Sequence, residues 1–293
     1  MAIIVKIMGG LGNQMFQYAA GRALALRLNE ELKLDYSWFT SVGSDTYRIP
    51  MLDIFPIEAK YANAEEVNRV IYKRQNIYQK MKGKKQYTSS YIAEPSYEYW
   101  SGFTALTSPA YLLGYWQNEK YFSSVSAIIR QDFLFPEFSC SDAKSMAAKI
   151  EASPCPVCIH IRRGDYVENP VTNQYHGVCP LEYYEKAIQI IVDKNSVSPE
   201  LFLFSDDPVW VRNNFKTLGC FFEIMDIMQH KNMPYHDMHL MSLCKHHIIA
   251  NSSFSWWGAW LSGGDGIVIA PKRWFTEKNV RQYTPSVASW MEI

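Results

Sequence analysis

Neither sign of charge predominates in this sequence of 293 residues, where 29 lysines and arginines face 29 aspartates and glutamates. The balance also holds locally. The first 152 residues carry 17 basic and 15 acidic side chains, and the rest carry 12 and 14. A nucleic-acid partner held by bulk phosphate is thereby excluded, and any polyanion must be met by a few placed residues. No uninterrupted apolar run approaches the roughly 18–20 residues that span a bilayer. The opening Met1-Ala-Ile-Ile-Val-Lys6 has no basic segment leading into a long apolar one, so it reads as a buried strand rather than a secretory signal. Six cysteines are few for a disulfide scaffold, and reduced thiols in a cytoplasmic protein are the simpler reading. Gly-x-Ser-x-Gly is absent, which removes one route to a serine hydrolase. His236, Asp237, His239, His246 and His247 are dense but lack a recurring metal-ligand spacing, so no metal site is assigned.

What the sequence does have is aromatic residues: nine Trp, 19 Tyr and 15 Phe, with 11 of the 43 between positions 87 and 122. Rings build cores, and they also stack on sugars and bases. Ile3–Ile7 reads as a strand, Gly9-Gly10-Leu11-Gly12 as a turn, Asn13–Leu28 as a helix and Leu32–Asp35 as a second strand. This βαβ unit implies a parallel sheet. Ser153-Pro154-Cys155-Pro156 is the strongest boundary signal, because two prolines in four residues disfavour helix and central strand. It divides the chain into residues 1–152 and 153–293. Beyond it, strands at Val157–Ile161, Leu201–Phe204, Cys220–Ile224, His247–Ala250 and Ile267–Ala270 alternate with helices near 181–193, 208–215, 236–244 and 254–261. The fold class is α/β, with two Rossmann-like domains whose strand ends border a ligand-binding cleft.

Four segments carry chemistry. Gly10-Leu11-Gly12-Asn13-Gln14-Met15 approaches the dinucleotide fingerprint, but Met15 replaces the third glycine. An NAD(P)-dependent oxidoreductase is therefore the weaker reading. A turn exposing backbone N–H groups and the amides of Asn13 and Gln14 can hold a phosphate, hydroxyl or carboxylate, or simply cap the helix. His160-Ile-Arg-Arg-Gly-Asp165 runs out of the carboxyl end of a strand. Alternation puts His160 and Arg162 on one face, and the five-donor guanidinium of Arg162 suits a diphosphate. A structural ion pair is the simpler role for Arg163 with Asp165. Asp206-Asp207-Pro208 ends the next strand; Asp207 reads as a helix cap, a purine acceptor or, less well, a metal ligand. Asn251 to Leu261 opens a helix with consecutive hydroxyls at its N-terminus, which serve as caps and as a phosphate cradle. Its tryptophans read first as core. Cys155-Pro-Val-Cys158 lacks the position of a redox motif.

Together, Gly9 to Ala19, His160 to Asp165 and Asn251 to Trp260 resemble, in the same order, the α-1,2-fucosyltransferases of glycosyltransferase family 11. The resemblance spans nearly the whole chain. It implies a GT-B fold, with the donor mainly on the C-terminal domain and the acceptor mainly on the N-terminal one. It also implies inverting transfer of L-fucose from GDP-β-L-fucose to the 2-hydroxyl of a terminal β-galactoside, with no cofactor and no metal. On this resemblance Arg162 contacts the β-phosphate, and Ser252, Ser253 and Phe254 lie along the diphosphate. His160 lies near the nucleoside, and Asp207 reads guanine. Gly10 and Gly12 bind the donor, Asn13 reaches into the cleft from the acceptor side as a catalytic residue, and Asp165 is the nearest carboxylate to serve as base. Gln14, Tyr91, Tyr97, Trp100, Tyr115 and Trp116 are the candidates for stacking or holding the acceptor, an oligosaccharide or lipid-linked glycan. The family's animal members carry a membrane anchor that is missing here, which points to a bacterial-type, cytoplasmic enzyme. The basic run Arg69 to Lys85 reads first as a solvated helix face and second as peripheral contact with the inner face of a membrane. A non-catalytic glycan-binding protein is the remaining alternative.

Overall fold

The computed structural model describes residues 2–40, 48–73, 86–164, 167, 174, 177–226, 233–276, 283–285 and 287–293. The chain forms two compact units, residues 1–134 and 135–293.

In the first unit, β1 (Ala2–Lys6), α1 (Leu11–Leu28) and β2 (Glu31–Asp35) form the expected βαβ motif. β3 (Lys60–Tyr61), α2 (Ala64–Ile71), β4 (Tyr91–Ala93), β5 (Ala110–Leu113) and α3 (Ser126–Asp132) complete it. All pairs are parallel, in the order β3-β2-β1-β5-β4. Ile3, Ile4 and Val5 are buried on both faces of the sheet, as central parallel strands require. Each stabilises the unit by roughly 1.5–3 kcal/mol. α1 is buried around most of its circumference. Its one basic excursion inward, Arg22, bonds the Asp132 carboxylate at 3.0 Å, and the Tyr18 hydroxyl donates to the same carboxylate at 2.8 Å. That cluster fastens α1 to α3. The helix ends at Asn29, whose φ of 52° is left-handed and whose N–H closes the last turn.

The second unit contains α4 (Ser141–Ala152), β6 (Pro156–Ile161), α5 (Leu181–Lys194), β7 (Glu200–Ser205), α6 (Pro208–Asn214) and β8 (Phe222–Asp226). α7 (Tyr235–Leu243), β9 (His246–Ile248), α8 (Ser253–Leu261), β10 (Val268–Ala270) and β11 (Met291–Glu292) follow. Its parallel sheet is ordered β11-β10-β9-β6-β7-β8. This is the doubly wound order, in which the chain reverses direction between β6 and β9. β6 alternates between two cores. Val157, Ile159 and Ile161 pack with Tyr184, Ile188 and Ile191 of α5, whereas Cys158 packs with Ile150 of α4 and Leu240 and Met241 of α7.

Two expectations shift. The division falls at 134/135 rather than 152/153, because α4 packs on the second sheet through Ala147 and Ile150. The two prolines mark the entry to β6 instead. The third strand of this unit starts at Phe222 rather than Cys220, because Leu218 (φ 52°) and Gly219 (φ 82°) form a turn closed by the Cys220 N–H on the Thr217 carbonyl. Among the described residues no helix is long and apolar enough to cross a membrane. No disulfide joins the six cysteines.

α1 lies so close to the sheet that a Cβ on Gly21 would meet Val5 Cγ2 at 2.3 Å and Leu32 Cδ1 at 3.0 Å. Gly21→Ala is expected to destabilise the protein by about 1–3 kcal/mol despite the better helix propensity of alanine. Urea unfolding checks this, and Val5→Ala should recover part of the loss.

Candidate functional site

The carboxyl ends of β6 and β9 flank the point where the second sheet reverses, the usual ligand crevice of such a sheet. His160, Arg162 and Arg163 come from the end of β6. Asn251 and Ser252 follow β9 and lead into α8. The Ser252 hydroxyl accepts the Phe254 N–H at 3.3 Å as N-cap. Asn251 is buried, donating to the Gly177 and Trp274 carbonyls at 3.4 and 3.2 Å. The sequence thus brings His160, Arg162, Ser252, Ser253 and Phe254 to adjacent strand ends, and the His160 and Phe254 rings lie 6.1 Å apart. Trp256, Trp257 and Trp260 are core residues, packed on one another.

His160 is buried, and its Nδ1 has no hydrogen-bond partner among the described residues. Burial, reinforced by the Arg162 charge, pushes its pKa down to about 3. It is therefore a neutral imidazole at pH 7. Among the described residues the cations at this edge are the two arginines. Arg162 Nη1 lies 2.7 Å from Asp206 Oδ2, and both side chains are largely covered. The other oxygen of Asp206 accepts the Arg163 backbone N–H at 2.8 Å.

Of the expected Arg163–Asp165 pair, only Arg163 is described. Its Nε meets Asp207 Oδ2 at 3.3 Å, and its guanidinium lies over the Trp210 ring at 3.7 Å. Asp165 lies outside the described residues. Asp207 also caps α6, accepting the Trp210 N–H at 3.0 Å, so its carboxylate serves a cap and an arginine together. Asp206, Gly164 and Trp210 had no separate role in the sequence reading. The available signal was the matching of an Arg-Arg doublet on one strand with an Asp-Asp doublet on the next.

In the first unit the sheet reverses between β1 and β5. The glycine turn leaves β1 there: Gly9 has a φ of 78°, Gly10 is the α1 N-cap, and a Cβ on Gly10 would meet nothing within 4 Å. Gly12 is buried in the first turn. Asn13 Oδ1 accepts from Gln117 Nε2 at 2.8 Å, joining the turns that follow β1 and β5. Glu94 holds the second turn by accepting the N–H groups of Tyr115 and Trp116 at 2.7 and 2.9 Å. Burial pushes its carboxyl pKa up, against those two bonds.

Gln14 does not belong with the acceptor-facing groups. It is fully buried, with its amide donating to the Gly9 and Ile49 carbonyls and accepting the Met51 N–H. Trp116 is likewise core, at 0% exposure against Phe103 and Tyr121. Tyr91 stacks with Tyr87 at 4.3 Å and with Tyr111 at 6.0 Å. Tyr97, Trp100 and Tyr115 are half-buried; the Trp100 N–H donates to the Tyr121 hydroxyl. Of the basic run, Arg69 pairs with Glu65 on α2 at 2.8 Å; residues 74–85 lie outside the described residues. Among the described residues no group of three His, Cys, Asp or Glu side chains could hold a metal ion.

Burial of neutral His160 has a consequence for stability. The unfolded chain takes up the proton near pH 6.5 and the folded one near pH 3, so stability falls as pH drops through that window. His239 and His247, pushed by burial to about 4, act in the same direction. Between pH 7 and pH 5 the His160 contribution is about 2 kcal/mol. Urea titrations at the two pH values should show His160→Gln losing correspondingly less.

The chain matches the family model described as Glycosyl transferase family 11 over residues 2–293. It is 33% identical to an alpha-1,2-colitosyltransferase of Escherichia coli, covering 99% of this chain and 98% of that protein. It is also 33% identical to the O-antigen biosynthesis glycosyltransferase WbnK of Escherichia coli, covering 97% and 98%. Among solved structures, a mutant of Arabidopsis thaliana FUT1 in complex with GDP matches with a TM-score of 0.53 at 13% identity, over 95% of this chain and 72% of that one. That likeness concerns the fold, which is GT-B. Doubly wound units, an Arg-Arg strand end beside a hydroxyl-capped helix, and a match along the full sequence lead to one assignment: the chain belongs to glycosyltransferase family 11.

Proposed function

We propose that this glycosyltransferase moves L-fucose from GDP-β-L-fucose to the 2-hydroxyl of a terminal β-galactoside, with inversion and without a metal. The observation that carries this reading is the meeting of Arg162 and the N-terminus of α8 at the two strand ends flanking the reversal of the second sheet. A nucleoside diphosphate leaves with growing negative charge. A guanidinium and a helix N-terminus supply preorganised positive potential where that charge develops. Half-buried Phe254, with neutral His160 behind it, offers uncharged surface beside it for the nucleoside. The acceptor hydroxyl attacks the anomeric carbon from the face opposite GDP, the C–O bond to GDP breaks, and the hydroxyl proton passes to a base. Asp165 is proposed for that base on the motif alone.

The names of the relatives support glycan synthesis and an α-1,2 linkage. One of them transfers colitose, which lacks one ring hydroxyl of fucose. GDP-fucose and GDP-colitose therefore belong in the same assay, each with lactose as acceptor and linkage analysis of the product. The expected result is an α-1,2-fucosylated galactoside, formed equally in EDTA. Transfer only from GDP-colitose would overturn the donor assignment, and activity abolished by EDTA would overturn metal independence. An oxidoreductase would instead be stabilised against heat by NAD(P)H and not by GDP, and a glycan-binding protein would release no GDP. Arg162→Lys should lose about a hundredfold in rate, close to Arg162→Ala, because a point charge cannot replace the planar fork. Steady-state kinetics of the two variants check this.

A further inference from the structure

A recess in the first unit is not used by any of the groups assigned above. β2 and β3 end side by side, α2 begins just after β3, and between them lies a cavity of about 430 Å³. It opens at the carboxyl ends of parallel strands, the side on which such sheets bind ligands. The rings of Tyr36 and Tyr61 line it with centroids 5.5 Å apart, and Tyr61 is 62% exposed. Ser37, Thr40 and Asn68 add hydroxyl and amide groups between apolar walls. Tyr36 Oη has no hydrogen-bond partner among the described residues. The lining includes no cation. Its one carboxylate among the described residues, Asp35, is already satisfied by the Tyr111 hydroxyl at 2.7 Å, the Ser37 N–H at 2.9 Å and Lys6 at 3.4 Å.

These features select the ligand. An anionic sugar would meet Asp35 with no spare countercharge, and a hydrocarbon chain would strand the hydroxyl and amide groups. A pyranose has an apolar face for a tyrosine ring and a rim of hydroxyls for the polar walls, and the volume lies in the range of small-molecule pockets. We propose that this recess is a subsite for a neutral hexose of the acceptor glycan, stacked on Tyr61. The inference rests on the reading of the chain as a glycan-building transferase.

The test uses the full chain, lactose and a panel of methyl hexosides. Tyr61→Ala removes the exposed ring, and Ala64→Trp fills the recess from the first turn of α2. Both variants should raise the acceptor KM at least tenfold, about 1.4 kcal/mol, with the affinity for GDP unchanged. Saturation-transfer NMR with the same sugars is read without GDP-fucose. A hexoside signal on the wild type that is lost in Ala64→Trp supports the subsite even if fucose is not the donor. An unchanged acceptor KM in both variants, or no hexoside signal on the wild type, overturns it.

The second unit carries a separate inference. Asp206 brackets the Arg-Arg turn: one oxygen holds the Arg162 side chain at 2.7 Å, the other holds the Arg163 backbone N–H at 2.8 Å. Gly164 makes room for it, since a Cβ there would lie 2.5 Å from Asp206 Oδ2. Asp206 engages Nη1 of the Arg162 guanidinium, a planar fork suited to bidentate contact with a diphosphate. We infer that Asp206 is a positioning residue that aims Arg162 at the diphosphate, an inference that rests on the donor reading above. Asp206→Asn keeps an acceptor for the backbone N–H while losing the charge. It should weaken GDP binding about tenfold and leave guanosine binding unchanged, and Gly164→Ala should behave likewise. In an Arg162→Ala background the Asp206→Asn effect should vanish. The same tenfold loss in both backgrounds, or none in either, overturns the inference. An Arg162→Ala variant that binds GDP normally overturns the donor reading itself.

Discussion

The pairing of β6 with β7 is the constraint from which the arginine-bearing edge of the second sheet follows. The strands run parallel with Ile161 opposite Ser205. One step beyond, Arg162 lies beside Asp206, and two steps beyond, Arg163 lies beside Asp207. A shift by one residue would place an arginine against a hydroxyl and turn every core side chain of the strand to the wrong face. The two ion pairs do different work. Arg163 closes a cluster with Asp207 and Trp210 that holds the start of α6. Arg162 is bonded to Asp206 Oδ2 at the sheet reversal, where the N-terminus of α8 also arrives.

Much of this was legible from the residues. The second sheet is built from short apolar runs separated by helical patterns, and strands buried on both faces advertise themselves in that way. The hydroxyls before Phe254 and the Asp-Pro before α6 are strong capping signals, and both are caps. The doublets were legible too, once neighbouring strands are laid in register. What was hidden depends on contacts distant in sequence. Gln14 looks like a ligand-facing amide on a glycine turn, yet Ile49 and Met51 use both ends of it to fix a loop. Trp116 sits in an aromatic-rich stretch, but its residue has a φ of 55° and turns the indole into the core. No local pattern announces either outcome. The recess between Tyr36 and Tyr61 escaped for the same reason, since its two rings stand 25 positions apart in sequence.

The glycine turn after β1 shows how a near-match to a fingerprint is resolved. In the dinucleotide motif the third glycine lets the helix approach the sheet. Met15 occupies that place here and is fully buried. Close approach occurs instead at Gly21, between Val5 and Leu32. The helix is thus tightest against the sheet nearly two turns further along, and its first turn is fixed by Gln14 and by the Asn13–Gln117 bond. The turn keeps its form while the geometry that makes a dinucleotide site is displaced.

The charge-matched doublets also bear on how a ligand arrives. Two arginines facing two aspartates cancel at long range, in a chain whose total charge is already zero. Such an edge projects little field into solution, so on the proposed reading a diphosphate would reach it at an unsteered rate. Abundant cellular polyanions are not gathered there either. The arginine's charge becomes important only at contact, where a bound group can share the guanidinium with Asp206. On that reading discrimination is concentrated in short-range fit rather than in long-range attraction.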